Sequence, residues 1–263
     1  MKIFIITMDD PLFTIPYLKK VIAAKQESIC GIALVTKGNR ITVRKNQSRL
    51  NYLTALFIIL GPAYYLTNAF KTLSHKILKK LAPIFGFSSP CILEYARKMK
   101  IPAFVIPDPN DKIFLDELKK LEPDVIINQA QNILKKDLLS IPKTGVINRH
   151  NALLPRNRGR LTPFWVKYKN ENETGSSIHF VTEGIDAGPI IHQERFAINK
   201  NEKIKDIVNK NYQYAFTAMM KALEKLENNC ADYLPNNDSD ATYNSVPGIK
   251  DAIKFRLGKK YTV

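Results

Sequence analysis

Short unbroken apolar runs alternate with amphipathic stretches along the first 150 residues. Residues 2–8 and 29–35 are two such runs, of the type a parallel strand carries when both its faces are covered. Between them, residues 14–25 place Ile15, Leu18, Ile22 and Ala23 near one helical face. Strand, helix and strand in that order predict a βαβ unit. The alternation resumes at residue 88. Ser89 suits an N-cap and Pro90 a first helical position, for a helix running to residue 100. Strands are expected at 101–106, 124–128 and 144–150, with helices at 111–121 and 135–139. The repetition predicts an α/β fold with a Rossmann-like, mostly parallel sheet and helices on both faces. Neither Gly-x-Gly-x-x-Gly nor a P-loop follows the first strand, so the pattern announces no dinucleotide or ATP phosphate site.

Beyond residue 150 a Pro- and Arg-containing loop leads to a helix from Phe164, then to strands at 176–181 and 189–196. A long helix at 203–226 aligns Ile204, Ile207, Val208, Ala215, Met219, Leu223 and Leu226, with the methionine read as core packing. Residues 228–263 are polar and too few to build a core. The expected organisation is one domain over residues 1–227, with the tail packed on it and an insertion at about 37–87.

That insertion changes the picture. No Asp or Glu occurs from residue 28 to 93, while Lys37, Arg40, Arg44, Lys45, Arg49, Lys71, Lys76, Lys79 and Lys80 are basic. The whole chain carries 40 Lys and Arg against 24 Asp and Glu, a net charge of +16. An apolar segment followed by a basic amphipathic helix points to an anionic membrane surface, a nucleic acid or an acidic partner. The alternative is an insertion that packs on the body with its lysines solvated. The apolar stretch at 53–66 is broken by Gly61-Pro62 and falls short of the ~20 residues of a spanning helix. With no secretory pattern at the start, the expected location is cytoplasmic, with peripheral attachment to a membrane as the variant the insertion allows. Cys30, Cys91 and Cys230 lie far apart, fit a reducing compartment and read as ordinary core residues.

The chemistry concentrates in residues 145–159. On a strand, Asn148 and His150 face one way and Arg149 the other. At the carboxyl end of a parallel strand the first two would project into the ligand crevice. There an amide can donate to a developing oxyanion and an imidazole can move a proton. Asp186, flanked by Gly184 and Gly188, offers a carboxylate to orient the histidine. Each residue alone reads more readily as turn chemistry. His75, His179 and His192 have no Cys, Asp or Glu at metal-ligand spacing, so no metal is expected.

Taken together, Asn148-Arg-His150, Leu153-Leu-Pro155 and Gly184-Ile-Asp186-Ala-Gly188 resemble the formyltransferase family that uses 10-formyltetrahydrofolate. Arg158-Gly159, Pro163-Phe-Trp165, Thr174-Gly175 and Gly188-Pro-Ile-Ile-His-Gln193 support the likeness, which runs from about residue 121 to 193. Position 152 is Ala where the family often has Ser. The resemblance implies a folate held beside a triad of Asn148, His150 and Asp186. Asn148 would hold the formyl oxygen, His150 would stabilise the tetrahedral intermediate or accept a proton, and Asp186 would hold the imidazole. The pterin pocket would be formed by Gln129, Ala130, Gln131, Ile133 and Leu134 with Glu183, Gly184 and Ile185. Arg158 and Gly159 would lie on the substrate side. The formyl donor would be 10-formyltetrahydrofolate, with no metal.

Among acceptors, the resemblance favours a small primary amine, above all an amino-sugar nucleotide. Initiator-tRNA enzymes of the family carry a C-terminal β-barrel, for which residues 227–263 are too few, placing tRNA second. Purine-pathway members bind a phosphate at a Gly- and Ser-rich turn after the first strand, whereas this chain has Thr7-Met-Asp-Asp-Pro-Leu-Phe13. Formyltetrahydrofolate hydrolases of the family carry an N-terminal regulatory domain ahead of the sheet, whereas the first strand is expected here at residues 2–8, which leaves a hydrolase as an alternative to the transferase. An inactive relative tethered to a membrane or nucleic acid through residues 37–87 is the reading from another class.

Overall fold

The computed structural model describes residues 1–37, 48–230, 232–259 and 261. The basic residues Arg40, Arg44 and Lys45 lie outside that set. The first apolar run forms β1 (Ile3–Thr7), buried throughout, and the second forms β2 (Ile29–Val35), with α1 (Thr14–Ala24) between them. After the insertion come α4 (Ile92–Lys98), β3 (Ala103–Ile106), α5 (Lys112–Leu121), β4 (Val125–Gln129), α6 (Lys136–Leu139) and β5 (Gly145–His150). The sheet runs β3-β2-β1-β4-β5 in parallel. It is completed by β7 (Glu173–Phe180) and β8 (Ile190–Ala197), both antiparallel to their neighbours. The order reverses between β1 and β4, which opens a crevice at the carboxyl ends of those strands.

Both faces are covered, as continuous apolar strands require. On one side α1, α4 and α8 (Ile204–Glu227) pack against Ile3, Ile5, Ile127 and Ile147. On the other, α5 and α6 pack against Phe4, Ile6, Ile126 and Val146. Burial of this kind contributes about 25 cal/mol per Å² of apolar surface.

The insertion is a helical pair, α2 (Arg49–Leu60) and α3 (Pro62–Phe85), bent apart at Gly61 (φ 80°). It neither floats free nor packs wholly on the body. Ala55 and Ile59 of α2 join a third core with Phe164, Trp165 and Tyr168 of α7 (Thr162–Tyr168) and Ala252 of α9 (Ile249–Arg256). Arg256 donates to the Ile58 and Ile59 carbonyls (2.6 and 3.1 Å), satisfying oxygens that a helix end leaves unpaired.

Three expectations need correction. The fourth helix starts at Ile92 rather than Pro90, because the Ser89 hydroxyl accepts from the Cys91 amide in a turn ahead of it (3.4 Å). Cys230 is exposed, not a core thiol. The polar tail contains β9 (Tyr243–Asn244), paired with the two-residue β6 (Arg158–Gly159), as well as α9. Its sparse apolar positions hid both elements. Among the described residues no helix is long and apolar enough to cross a membrane.

Candidate active site

Strand β5 carries the site at its carboxyl end, with Asn148 in register between Asn128 of β4 and His179 of β7. Its alternation sends Arg149 to the opposite face, beneath α1 and α8. There the guanidinium lies over Tyr212 (4.3 Å) and Tyr17 (5.1 Å) and donates to the Tyr212 hydroxyl (3.0 Å) and to Asn151. Burial pushes the Tyr17 hydroxyl far above the usual tyrosine range. The Arg149 Nε donates to Gln129 Oε1 (3.2 Å), and Gln129 Nε2 donates to Asn148 Oδ1 (3.3 Å). With its oxygen engaged, Asn148 keeps the Nδ2 hydrogens for a ligand.

His150 is buried, and its Nε2 donates to the Asn157 carbonyl (2.8 Å) while Nδ1 lies 3.4 Å from Asp186 Oδ2. Each ring nitrogen thus faces an oxygen, which fixes the plane of the ring. Asp186 sits in the left-handed region (φ 50°), and its Oδ2 also accepts from the Gly159 amide (2.9 Å). Its Oδ1 lies 3.6 Å from Nε2 of His179. His179 donates from Nδ1 to its neighbour's carbonyl (2.8 Å), and loss of water around the ring pulls its pKa down to about 4. The neutral ring turns a bare Nε2 toward the carboxylate, making a seat for one proton between them. The sequence pattern alone gave His179 no role; the signal was its register opposite Asn148, visible only once β5 and β7 are paired.

The loops bearing these groups are tied together by the tail. Asn236 donates to the carbonyls of Asp186 and Gly188 (both 2.8 Å), and Thr242 Oγ1 accepts from the Asn157 amide (2.8 Å). Gly159 is required here: its φ is 100°, and a Cβ would stand 2.2 Å from the Asn244 carbonyl oxygen. Arg158 departs from its expected substrate-side place. It is fully buried and bonded to Asn236, Asp238 and Tyr243 of the tail, while Arg160 reaches the crevice instead.

The crevice encloses about 1060 Å³. Asn148, His150, His179 and Asp186 line it, and so do Gln129, Ala130, Gln131, Ile133 and Leu134 on one loop and Glu183, Gly184 and Ile185 on another. Ile133 and Ile185 are 76% and 68% exposed, so each loop presents an unburied apolar side chain at the rim. The far wall is aromatic and basic: Phe13, stacked on Tyr212 (5.0 Å), then Tyr52, Tyr64 and Tyr65 of the insertion, with Lys76 and Arg160. The start of α1 is closed to an anion by the chain's own Asp10, which accepts from the Leu12 and Thr14 amides and the Thr14 hydroxyl (3.0–3.1 Å). Among the described residues no group of three or more His, Cys, Asp or Glu gathers as a metal site.

Residues 68–223 match the model of the formyl transferase family. A stretch of 129 residues, 49% of the chain, is 37% identical to a methionyl-tRNA formyltransferase of Wolbachia sp. subsp. Drosophila simulans (strain wRi) and spans 42% of that protein's length. Glycinamide ribonucleotide transformylase 1 from Symbiobacterium toebii superposes with a TM-score of 0.57 at 14% identity, over 87% of this chain and 88% of that one. An N-formyltransferase from Helicobacter canadensis, solved with folinic acid and dTDP-3-aminofucose, superposes with a TM-score of 0.57 at 19% identity, over 93% and 71%. At these identities the structural likeness establishes the fold, a mostly parallel sheet of the formyltransferase type.

Proposed function

The chain belongs to the formyl transferase family, and from that premise we propose that it transfers the formyl group of 10-formyltetrahydrofolate to the primary amine of an amino-sugar nucleotide. The observation that carries the reading is the convergence of an amide, an imidazole and a carboxylate from β5 and the 182–188 turn at one crevice. The folate pterin is assigned to the loops at 129–134 and 183–185, whose exposed Ile133 and Ile185 suit the faces of a flat ring. The acceptor takes the opposite wall. Its tyrosines suit a base or sugar face, and Lys76 and Arg160 suit a diphosphate. The Asp10 carboxylate at the start of α1 disfavours a phosphate there, and with it a ribose-phosphate acceptor held in that turn.

In this reading the amine nitrogen attacks the formyl carbon and the carbonyl oxygen becomes negative. Asn148 Nδ2 donates to that oxygen, and the neighbouring His150 stabilises the same charge; a single donor of this type contributes roughly 3–4 kcal/mol. Asp186, with His179 behind it, takes the proton released by the amine and returns it to the departing folate nitrogen. The amide forms as the C–N bond to folate breaks, and no net proton is lost.

The test is to supply 10-formyltetrahydrofolate with amino-sugar nucleotides, amino acids and charged initiator tRNA, following tetrahydrofolate release and the formylated product. Formylation of an amino-sugar nucleotide at the highest kcat/KM supports the proposal. Transfer to tRNA alone, or folate release without any acceptor, overturns it.

A further inference from the structure

Helix α3 has two faces with different fates. His75 and Lys79 point inward onto Asp9 in the loop after β1, with His75 Nε2 3.3 Å from the carboxylate. Thr72 and Asn68 fall on the same side and line the crevice. Diametrically opposite, at spacings of four, three, four and seven, lie Leu66, Phe70, Leu73, Ile77 and Ile84. Their exposures are 59, 71, 57, 47 and 72%. Phe85 and Phe87, at the end of the helix, are 70 and 40% exposed. A stripe of this size left to water is the signature of a docking face.

Its occupant is indicated by charge. Lys80 flanks the stripe on one side and Lys71 on the other, both exposed, while Lys76 turns to the crevice, and no carboxylate occurs from residue 28 to 93. A nucleic acid backbone would use the lysines but leave five large apolar side chains wet. A bilayer with anionic headgroups uses both: the apolar row enters the acyl boundary and the lysines meet phosphates. Pairing with Asp9 removes Lys79 from the set the sequence suggested, since it serves the body of the protein. We propose that α3 docks the protein on an anionic lipid surface through Leu66, Phe70, Leu73, Ile77 and Ile84 with Lys71 and Lys80. Leu73 belongs to both the stripe and the crevice wall, so the docked face adjoins the crevice mouth.

The test is co-sedimentation of the full chain with vesicles of phosphatidylcholine alone and of phosphatidylcholine with phosphatidylglycerol. Binding is expected to the anionic vesicles, falling as salt shortens the Debye length. Phe70→Glu with Ile77→Glu should lower partitioning at least tenfold. Lys71→Gln with Lys80→Gln should lower it about fivefold per lysine. Folate binding, whose site these four residues do not line, should be retained in both variants and reports that they are folded. Absence of wild-type binding to anionic vesicles overturns the proposal, as does binding that neither pair of substitutions weakens. Self-association lost in Phe70→Glu, without vesicle binding, would assign the stripe to a second copy and equally overturn it.

Discussion

Replacing Gln129 separates the aim of the amide from the integrity of its surroundings. Its Nε2 donates to Asn148 Oδ1 over 3.3 Å, and its Oε1 accepts from the buried Arg149 Nε over 3.2 Å. Gln129→Met removes both, along with the Nε2 bond to the Asn128 carbonyl (2.6 Å). The first bond, neutral and long, contributes about 0.5–1 kcal/mol, or two- to fivefold in the population of correctly turned amide. Complete loss of an oxyanion donor costs about 10²-fold or more. Turnover should therefore fall about tenfold, between those limits, over and above any rise in folate KM from the loss of a pterin-pocket side chain. The second loss leaves a charged N–H unpaired, at about 1–3 kcal/mol, which for a chain of this size lowers Tm by about 5 °C. Gln129→Glu divides the two effects, because a carboxylate still accepts from Arg149 but has no hydrogen to give Asn148. It should recover the part of the stability held through Arg149, but not the bond to the Asn128 carbonyl, and none of the turnover. Steady-state kinetics and thermal unfolding on the three proteins decide the matter. A Gln129→Met kcat within twofold of wild type, or a raised folate KM at unchanged kcat, would refute a positioning role.

Further outcomes follow from other parts of the site. Gly159→Ala forces φ 100° on a residue with a Cβ and drives that atom toward the Asn244 oxygen, so urea unfolding should show a loss of about 3 kcal/mol or more, together with slow turnover as Asp186 loses its amide partner. Arg158→Gln strips the buried guanidinium from Asn236 and Tyr243, and should cost about 2–4 kcal/mol and expose the segment at 234–244 to limited proteolysis. For His179, the ordinary pKa of 6.5 drops to about 4 in the folded chain, so below pH 6.5 the unfolded chain binds more protons. The stability this supplies is complete above that pH and is lost as pH falls toward 4; His179→Gln should flatten that part of the denaturation profile.

Much of the fold can be read from apolar runs, because a parallel strand covered on both sides must be continuously apolar. Residues 29–35 became β2 without adjustment, and the βαβ rhythm pointed to the mostly parallel sheet with helices on both faces, though not to its strand order. What stayed hidden depends on contacts distant in the chain. The tail looks polar because its work is polar: Asn236, Thr242 and Asn244 hold the loops of Asp186 and Asn157 by hydrogen bonds that carry no periodic signature. His179 resembled any strand histidine until register set it beside Asp186. Arg158 looked like a substrate arginine, and its burial against the tail was invisible without β9. The basic insertion announced its charge but not its division into an inward face that walls the crevice and an outward apolar row.

The central claim is that the Asn148 amide acts on the formyl oxygen in the transition state rather than on the folate in the ground state. Single-turnover formyl transfer to the preferred amine, measured beside equilibrium binding of a non-reactive formylfolate, tests it in Asn148→Ala. The account predicts a transfer rate lower by about 10²- to 10³-fold with the folate dissociation constant unchanged. A rate close to wild type, or a loss explained wholly by weaker folate binding, would contradict it.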